Sequence, residues 1–244
     1  MSKRNLLIVS TSTVHGLPYL SYLKKEVVKH FAGCKEIVFI PFARPGGVSW
    51  DDYTQVARNF FESLDISVKG IHEFDHPVNA LKDAQGVFTG GGNTFVLLKE
   101  MHEQDLLKPL RSCISDGMPY MGTSAGSNLT GMTVNNTNDM PIVYPPSFEA
   151  LGVIPFNINP HYLDPDPSSK HMGETRETRI KEYLVFNNLP VVGLREGSFL
   201  EVKGNEIQLK GELSMRMFEK GKTPYEVEPG ADISFLLNGT SRID

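Results

Sequence analysis

Apolar and polar positions follow two rhythms along this chain, and the first half keeps to one of them. Residues 6–10 (LLIVS) are a short apolar run that stops at Thr, Ser and Gly, the pattern of a buried strand feeding a loop. A helix is expected over about residues 18–31, and residues 36–42 repeat the strand pattern. Trp50, Tyr53, Ala57, Phe60, Phe61 and Leu64 then recur at three-to-four spacing, which places them on one helical face. Further strands are expected at 67–71, 86–89 and 119–122, separated by helices at 94–103 and 106–116. This alternation predicts an α/β fold, a mostly parallel sheet with helices on both faces.

After about residue 135 the rhythm changes to short apolar strands broken by Pro and Gly, with one clear helix at about 173–186. Residues 199–209 alternate around Gly204-Asn205, which reads as a hairpin. No linker, repeat or low-complexity segment divides the sequence. Residues 1–244 are therefore expected to form one domain whose C-terminal third adds antiparallel strands to a parallel core.

Composition narrows the function classes. The 244 residues, 40% hydrophobic and 22% charged, have globular proportions and can bury a sizeable core. Lys and Arg number 24 against 29 Asp and Glu, a net charge of −5, and no run of five like charges occurs, which argues against a nucleic-acid partner. No stretch approaches the ~18 apolar residues that a membrane span needs. The N-terminal apolar run is too short for a secretory signal, and Cys34 and Cys113 cannot form a disulfide framework. A cytoplasmic protein is expected, a monomer or a homodimer, without membrane partners.

Candidate chemistry sits at two strand ends. Gly122-Thr123-Ser124-Ala125-Gly126 matches G-x-S-x-G, follows an expected strand and precedes a small-residue segment able to start a helix. A nucleophile elbow needs that context, because the tight turn lifts the serine hydroxyl above the sheet edge. A helix N-terminus there adds a partial positive field and the free Ala125 N–H. Gly90-Gly91-Gly92-Asn93-Thr94 also follows a strand and precedes a helix. It fits neither nucleotide fingerprint, since Phe95 stands where the third glycine would fall and no Gly-Lys-Ser/Thr follows. Its N–H groups suit either a phosphate or an oxyanion, and because both glycine sites lie at strand C-terminal ends a Gly91 or Gly92 N–H can pair with that of Ala125 as an oxyanion hole.

A serine nucleophile needs a general base. Of the seven histidines (His15, His30, His72, His76, His102, His161 and His171), His161 is the best candidate. It follows Asn159-Pro160 after a mostly apolar run and should emerge from a strand end. A third group should orient its imidazole. Glu196 follows another short strand and Asp139 lies nearer to Ser124 in the chain; spacing does not choose between them. His72-Glu73-Phe74-Asp75-His76 spells the H-E-x-x-H zinc signature, but the motif follows a strand-like run, is stopped after five residues by Pro77 and has no helix around it, so no metal is expected. Cys113 reads as buried filler in a helix.

With these segments in place, the chain resembles the peptidase E, or α-aspartyl dipeptidase, family of serine peptidases from Leu6 to at least Gly211. The blocks that carry the resemblance are Phe39-Ile40-Pro41-Phe42, the glycine loop through Phe95 with Leu97-Leu98-Lys99-Glu100, Ser124-Ala125-Gly126, Thr137-Asn138-Asp139-Met140-Pro141-Ile142, Asn159-Pro160-His161, Gly173-Glu174-Thr175-Arg176-Glu177 and Gly193-Leu194-Arg195-Glu196-Gly197.

The resemblance implies a three-layer αβα sandwich related to class I glutamine amidotransferases, and hydrolysis of dipeptides with an N-terminal aspartate, without metal or cofactor. It implies Ser124 as nucleophile, His161 as base and Glu196 as acid, with Asp139 the runner-up for orienting His161 or shaping the site. It places Arg176 on the substrate β-carboxylate with Asn93 as a second donor, a role in which arginine offers a bidentate fork that lysine lacks. Arg179, one turn on, reads as a solvated helix charge. Two positions depart from bacterial members: Thr123 stands where they carry a bulky aromatic, and Arg195 where they have proline. The segment from about residue 221 to the end is closer to eukaryotic members. Two other readings stay open: a relative cleaving another aspartate-linked substrate such as a cyanophycin-type polymer, and a non-catalytic protein that holds a small anion on the glycine loop.

Overall fold

The structure, a computed structural model, describes residues 3–165, 168 and 173–239; His171 lies outside the described residues. The first half alternates as its periodicity predicts. β1 (Asn5–Val9) leads to α1 (Lys24–His30), β2 (Glu36–Ile40) to α2 (Trp50–Glu62), and β3 (Ser67–Gly70) to α3 (Pro77–Asp83). β4 (Val87–Thr89), α4 (Thr94–Glu103), α5 (Leu107–Ser115), β5 (Tyr120–Thr123) and the single turn α6 (Ala125–Asn128) follow. The rest comprises β6 (Asn157–Pro160), α7 (Arg176–Phe186), β7 (Val191–Leu194), β8 (Phe199–Lys203), β9 (Glu206–Lys210), β10 (Met215–Phe218) and β11 (Tyr225–Val227).

Seven strands form one sheet in the order β3-β2-β4-β5-β1-β8-β9. The first five are mutually parallel, and the β8–β9 hairpin joins antiparallel to β1. Side chains of β1 alternate between the two faces, as a strand period of two requires. Leu6 and Ile8 pack with α3, α4 and α5, while Leu7 and Val9 pack with α1 and α2. Helices therefore cover both faces, as the αβα expectation requires. The hairpin forms where Gly204-Asn205 predicts it, with Gly204 at φ 59 in the turn.

The C-terminal strands are only partly an extension of this sheet. β6, β7, β10 and β11 make a second sheet, ordered β11-β10-β7-β6, whose β6 and β7 are parallel and whose other pairs are antiparallel. Val192, Leu194, Met215 and Met217 of that sheet share the α3–α5 core.

Helix ends differ from the periodic reading for local reasons. The helix expected from residue 18 begins at Lys24, because Leu20 takes left-handed backbone (φ 53) ahead of a short 3-10 turn. The helix expected from residue 173 begins at Arg176, where the Thr175 side chain caps it by accepting the Thr178 N–H at 3.1 Å. α3 went unpredicted; Pro77, read as a terminator, is its first residue. No helix among the described residues is long and apolar enough to cross a membrane.

Candidate active site

The nucleophile elbow is built by glycines on either side of Ser124. A Cβ at Gly122 would lie 2.4 Å from the Gly126 carbonyl oxygen, and one at Gly126 would lie 2.3 Å from that of Thr89. Only hydrogen at both positions lets β5 turn so tightly onto α6 and onto β4. Ser124 itself is held at φ 52, ψ −110, outside helix and strand, so its side chain leaves the end of β5.

His161 follows β6 and Glu196 follows β7, and the parallel pairing of Pro160 with Leu194 brings the two loops together. His161 Nδ1 lies 2.6 Å from Glu196 Oε1, and Nε2 lies 2.8 Å from Ser124 Oγ. A carboxylate can only accept, so Nδ1 carries the proton and Nε2 is left to accept from the serine hydroxyl. Three groups distant in sequence thus form one hydrogen-bonded chain, able to take a proton from Ser124 and to stabilise the resulting imidazolium. Spacing left Glu196 and Asp139 open; the structure sets Glu196 against the imidazole.

Asp139 and Asn93 are occupied at the start of α4. Asp139 Oδ2 accepts the Thr94 N–H at 2.7 Å, and Asn93 Oδ1 accepts those of Phe95 at 3.0 Å and Val96 at 3.1 Å. The Asn93 amide nitrogen donates to the Met140 carbonyl at 2.9 Å. Its oxygen therefore serves the helix start and one amide N–H serves Met140, which leaves the second N–H for the expected role as a second donor to substrate. A helix N-terminus leaves its first N–H groups without partners, and these two side chains supply them.

The glycine loop also resolves its own alternatives. Gly90 N–H donates to Ile40 O, Asn93 N–H to Ala43 O, and Gly91 N–H to the Tyr53 hydroxyl at 2.9 Å. That hydroxyl donates in turn to Gly91 O at 3.1 Å. Gly91, expected as one oxyanion donor, is thus engaged by Tyr53, whereas the N–H groups of Gly92 and Ala125 have no partner among the described residues. The loop runs against the serine: a Cβ at Gly91 would stand 2.9 Å from Ser124 Cβ. Tyr53, the residue that fixes it, was visible in the sequence only as one apolar-face position of α2.

Arg176 begins α7, is half-buried, and donates from Nη1 to the carbonyl of Pro160, just before His161, at 3.2 Å. Burial lowers its pKa, with Arg179 adding to this, while the charges of Glu196 and Asp139 oppose it. A partly desolvated guanidinium with donors to spare beside a serine–histidine pair can bind a carboxylate. Arg179 is more than half exposed, 3.8 Å from Glu174, in keeping with a solvated charge.

Arg195 anchors the loop that carries Glu196. It donates to Asp164, to Ser214 and to Glu226 at distances of 2.7–3.1 Å. Arg195, together with Ser214 and Arg216, holds the Glu226 carboxyl down to about 2. A carboxyl whose folded pKa lies below its unfolded value adds stability at higher pH and loses it on acidification. Glu226→Gln is expected to lower the Tm at pH 7, with the gap to wild type closing as pH falls from about 4.5 toward 2. Thermal melts across that range check it, and a gap independent of pH would contradict the pairing.

The zinc-like motif does not form a metal helix. His72 and Glu73 lie in a 3-10 turn, and His76 precedes α3. Among the described residues, Asp51, His72 and Glu73 bring ligand atoms close together, but Arg58 and the Gly70 N–H engage the Glu73 carboxylate. Burial pushes the Cys34 and Cys113 thiols up, away from the reactive thiolate.

Comparison with known proteins gives a consistent picture. The model of Peptidase family S51 matches residues 6–210. A peptidase E of Streptomyces coelicolor is 45% identical over 240 residues, covering 98% of each chain. A probable alpha-aspartyl dipeptidase of Drosophila melanogaster is 43% identical over 239 residues, covering 97% of this chain and 98% of its own. The crystal structure of a peptidase from an acI-B1 Actinobacterium superposes with a TM-score of 0.66 over 95% of this chain and 97% of its own, at 19% identity, a likeness of fold.

Proposed function

The chain belongs to peptidase family S51, and on that premise we propose that it is a serine dipeptidase hydrolysing dipeptides with an N-terminal aspartate. The observation that carries this reading is the continuous Ser124–His161–Glu196 chain with the half-buried Arg176 guanidinium bound to the carbonyl preceding His161.

The reaction follows from these atoms. The β-carboxylate of the N-terminal aspartate pairs with Arg176, which sets the scissile carbonyl over Ser124. Ser124 Oγ attacks that carbon as His161 Nε2 takes the hydroxyl proton, and Glu196 stabilises the imidazolium. The developing oxyanion is met by the N–H groups of Gly92 and Ala125. His161 returns the proton to the leaving nitrogen, the C–N bond breaks, and the second amino acid departs with an intact amine. Water, deprotonated by His161, then attacks the aspartyl ester, and its collapse frees aspartate and restores the Ser124 hydroxyl.

Tyr53 serves this reaction by fixing the glycine loop. Tyr53→Phe removes both bonds to Gly91 while keeping the ring, and is expected to lower kcat about tenfold with KM little changed, the signature of weakened transition-state support. Steady-state kinetics on Asp-Leu check it; a raised KM with unchanged kcat would assign Tyr53 to substrate binding instead.

The activity itself is tested by amine release from Asp-Leu, Glu-Leu, Asn-Leu and Ala-Leu under one condition. Cleavage of Asp-Leu is expected to outrun that of the other three by far, with Ala-Leu cleaved only at a slow residual rate. Silence on all four, or indifference to the first residue, would overturn the dipeptidase reading.

A further inference from the structure

The nucleophile and its base belong to different sheets. Ser124 follows β5 of the seven-stranded sheet, and His161 follows β6 of the four-stranded one. Their 2.8 Å contact therefore depends on how two separately hydrogen-bonded sheets are held against each other. Both residues also have positive φ, 52 and 54. Non-glycine residues persist there only where their surroundings hold them.

Consecutive residues at the end of β1 do the holding. The carbonyl of Val9 accepts the Ser124 N–H at 3.1 Å. The next residue, Ser10, is fully buried, and its Oγ accepts the His161 N–H at 2.9 Å while donating to the Leu194 carbonyl at 2.7 Å. Leu194 ends β7, two residues before Glu196. The Ser127 hydroxyl completes the arrangement by accepting the Val9 N–H at 3.0 Å, with its one proton set between the carbonyls of Val9 at 2.7 Å and Gly122 at 2.8 Å, which locks β1 to the elbow. One hydroxyl thus spans the two sheets at the site. It touches the backbone of the base and the strand that carries the acid, and it projects from the strand that holds the nucleophile.

We propose that Ser10 is a positioning residue that sets His161 and Glu196 against Ser124. This rests on the reading of Ser124 as nucleophile and His161 as base. Without its oxygen, the His161 N–H loses its acceptor and the strained backbone at 161 loses its restraint. A shift of about 1 Å in a reacting group is enough to cost on the order of 100-fold in rate. Arg176 meets the other side of the same peptide, donating to the Pro160 carbonyl, but its own backbone is fixed by the capped start of α7 and not by Ser10, so substrate binding should survive.

The test measures kcat and KM on Asp-Leu, inhibition by the product aspartate, and the Tm for wild type, Ser10→Ala and Ser10→Cys, with Ser124→Ala alongside. Ser10→Ala is expected to lose about 10- to 100-fold in kcat, with KM and aspartate inhibition within about twofold of wild type. Ser10→Cys fills the same place with a weaker partner and should fall between the two. If Ser10→Ala does not fold, the same split in Ser10→Cys decides. A folded variant with kcat within about twofold of wild type would overturn the proposal. So would a kcat loss matched by equal losses in KM and aspartate binding, which marks general disruption. An active Ser124→Ala would instead bring down the nucleophile assignment on which the proposal rests.

Discussion

Ser124→Ala is expected to lower kcat on Asp-Leu by about 10,000-fold or more, leaving only what the oxyanion donors and substrate positioning provide without a nucleophile. The elbow should survive the change. Its backbone is set by the glycines at 122 and 126 and by the Ser124 N–H bond to Val9, none of which involves Oγ. The variant should therefore bind aspartate with near-wild-type affinity, since the Arg176 site does not use the hydroxyl either. Single-turnover kinetics and aspartate titration by calorimetry separate the two quantities. Retained turnover would move the chemistry away from Ser124, and lost aspartate binding would mean that the serine holds the pocket in shape.

Arg176→Ala is expected to cost kcat/KM on Asp-Leu roughly 2–5 kcal/mol, about 30- to several-thousand-fold, the range for leaving a desolvated charge without its partner. The loss should be specific. Ala-Leu, which brings no carboxylate to pair, is expected to change by less than about threefold. Arg176→Lys should not recover the wild-type rate, because an ammonium is a point charge and cannot hold both carboxylate oxygens as a planar fork does. Equal losses on Asp-Leu and Ala-Leu would instead give Arg176 a part in holding the Pro160 carbonyl and, through it, His161.

Much of this architecture could be read from local pattern. The parallel strands and their helices follow from runs such as residues 6–10 and from the apolar face of α2, because burial on two sides and on one side leave different periodicities. Ser124 announces itself through the glycines its elbow requires, and His161 through Asn159-Pro160 at a strand end. What local pattern leaves open is pairing between distant segments. That β6 and β7 form a second sheet depends on strand contacts made across α7. For the same reason spacing could not choose Glu196 over Asp139, as it is the pairing of Pro160 with Leu194 that puts Glu196 beside the imidazole. Tyr53 and Ser10 left no motif at all. One is an aromatic on an apolar helical face and the other a serine ending a strand, and their roles exist only in the contacts they make with Gly91 and His161. Asn93 shows the converse, a motif residue whose side-chain oxygen is taken up by the backbone of the helix it begins.

The central claim is that Ser124, driven by His161, forms a covalent bond to the aspartyl carbonyl. It is tested most directly by exposing the enzyme to a diphenyl phosphonate analogue of aspartate and locating the adduct by peptide mass mapping. A single adduct on the peptide bearing Ser124 is expected, blocked by excess aspartate, absent in Ser124→Ala and formed far more slowly in His161→Ala. Modification at another residue, or labelling of Ser124 that proceeds unchanged in His161→Ala, would contradict it.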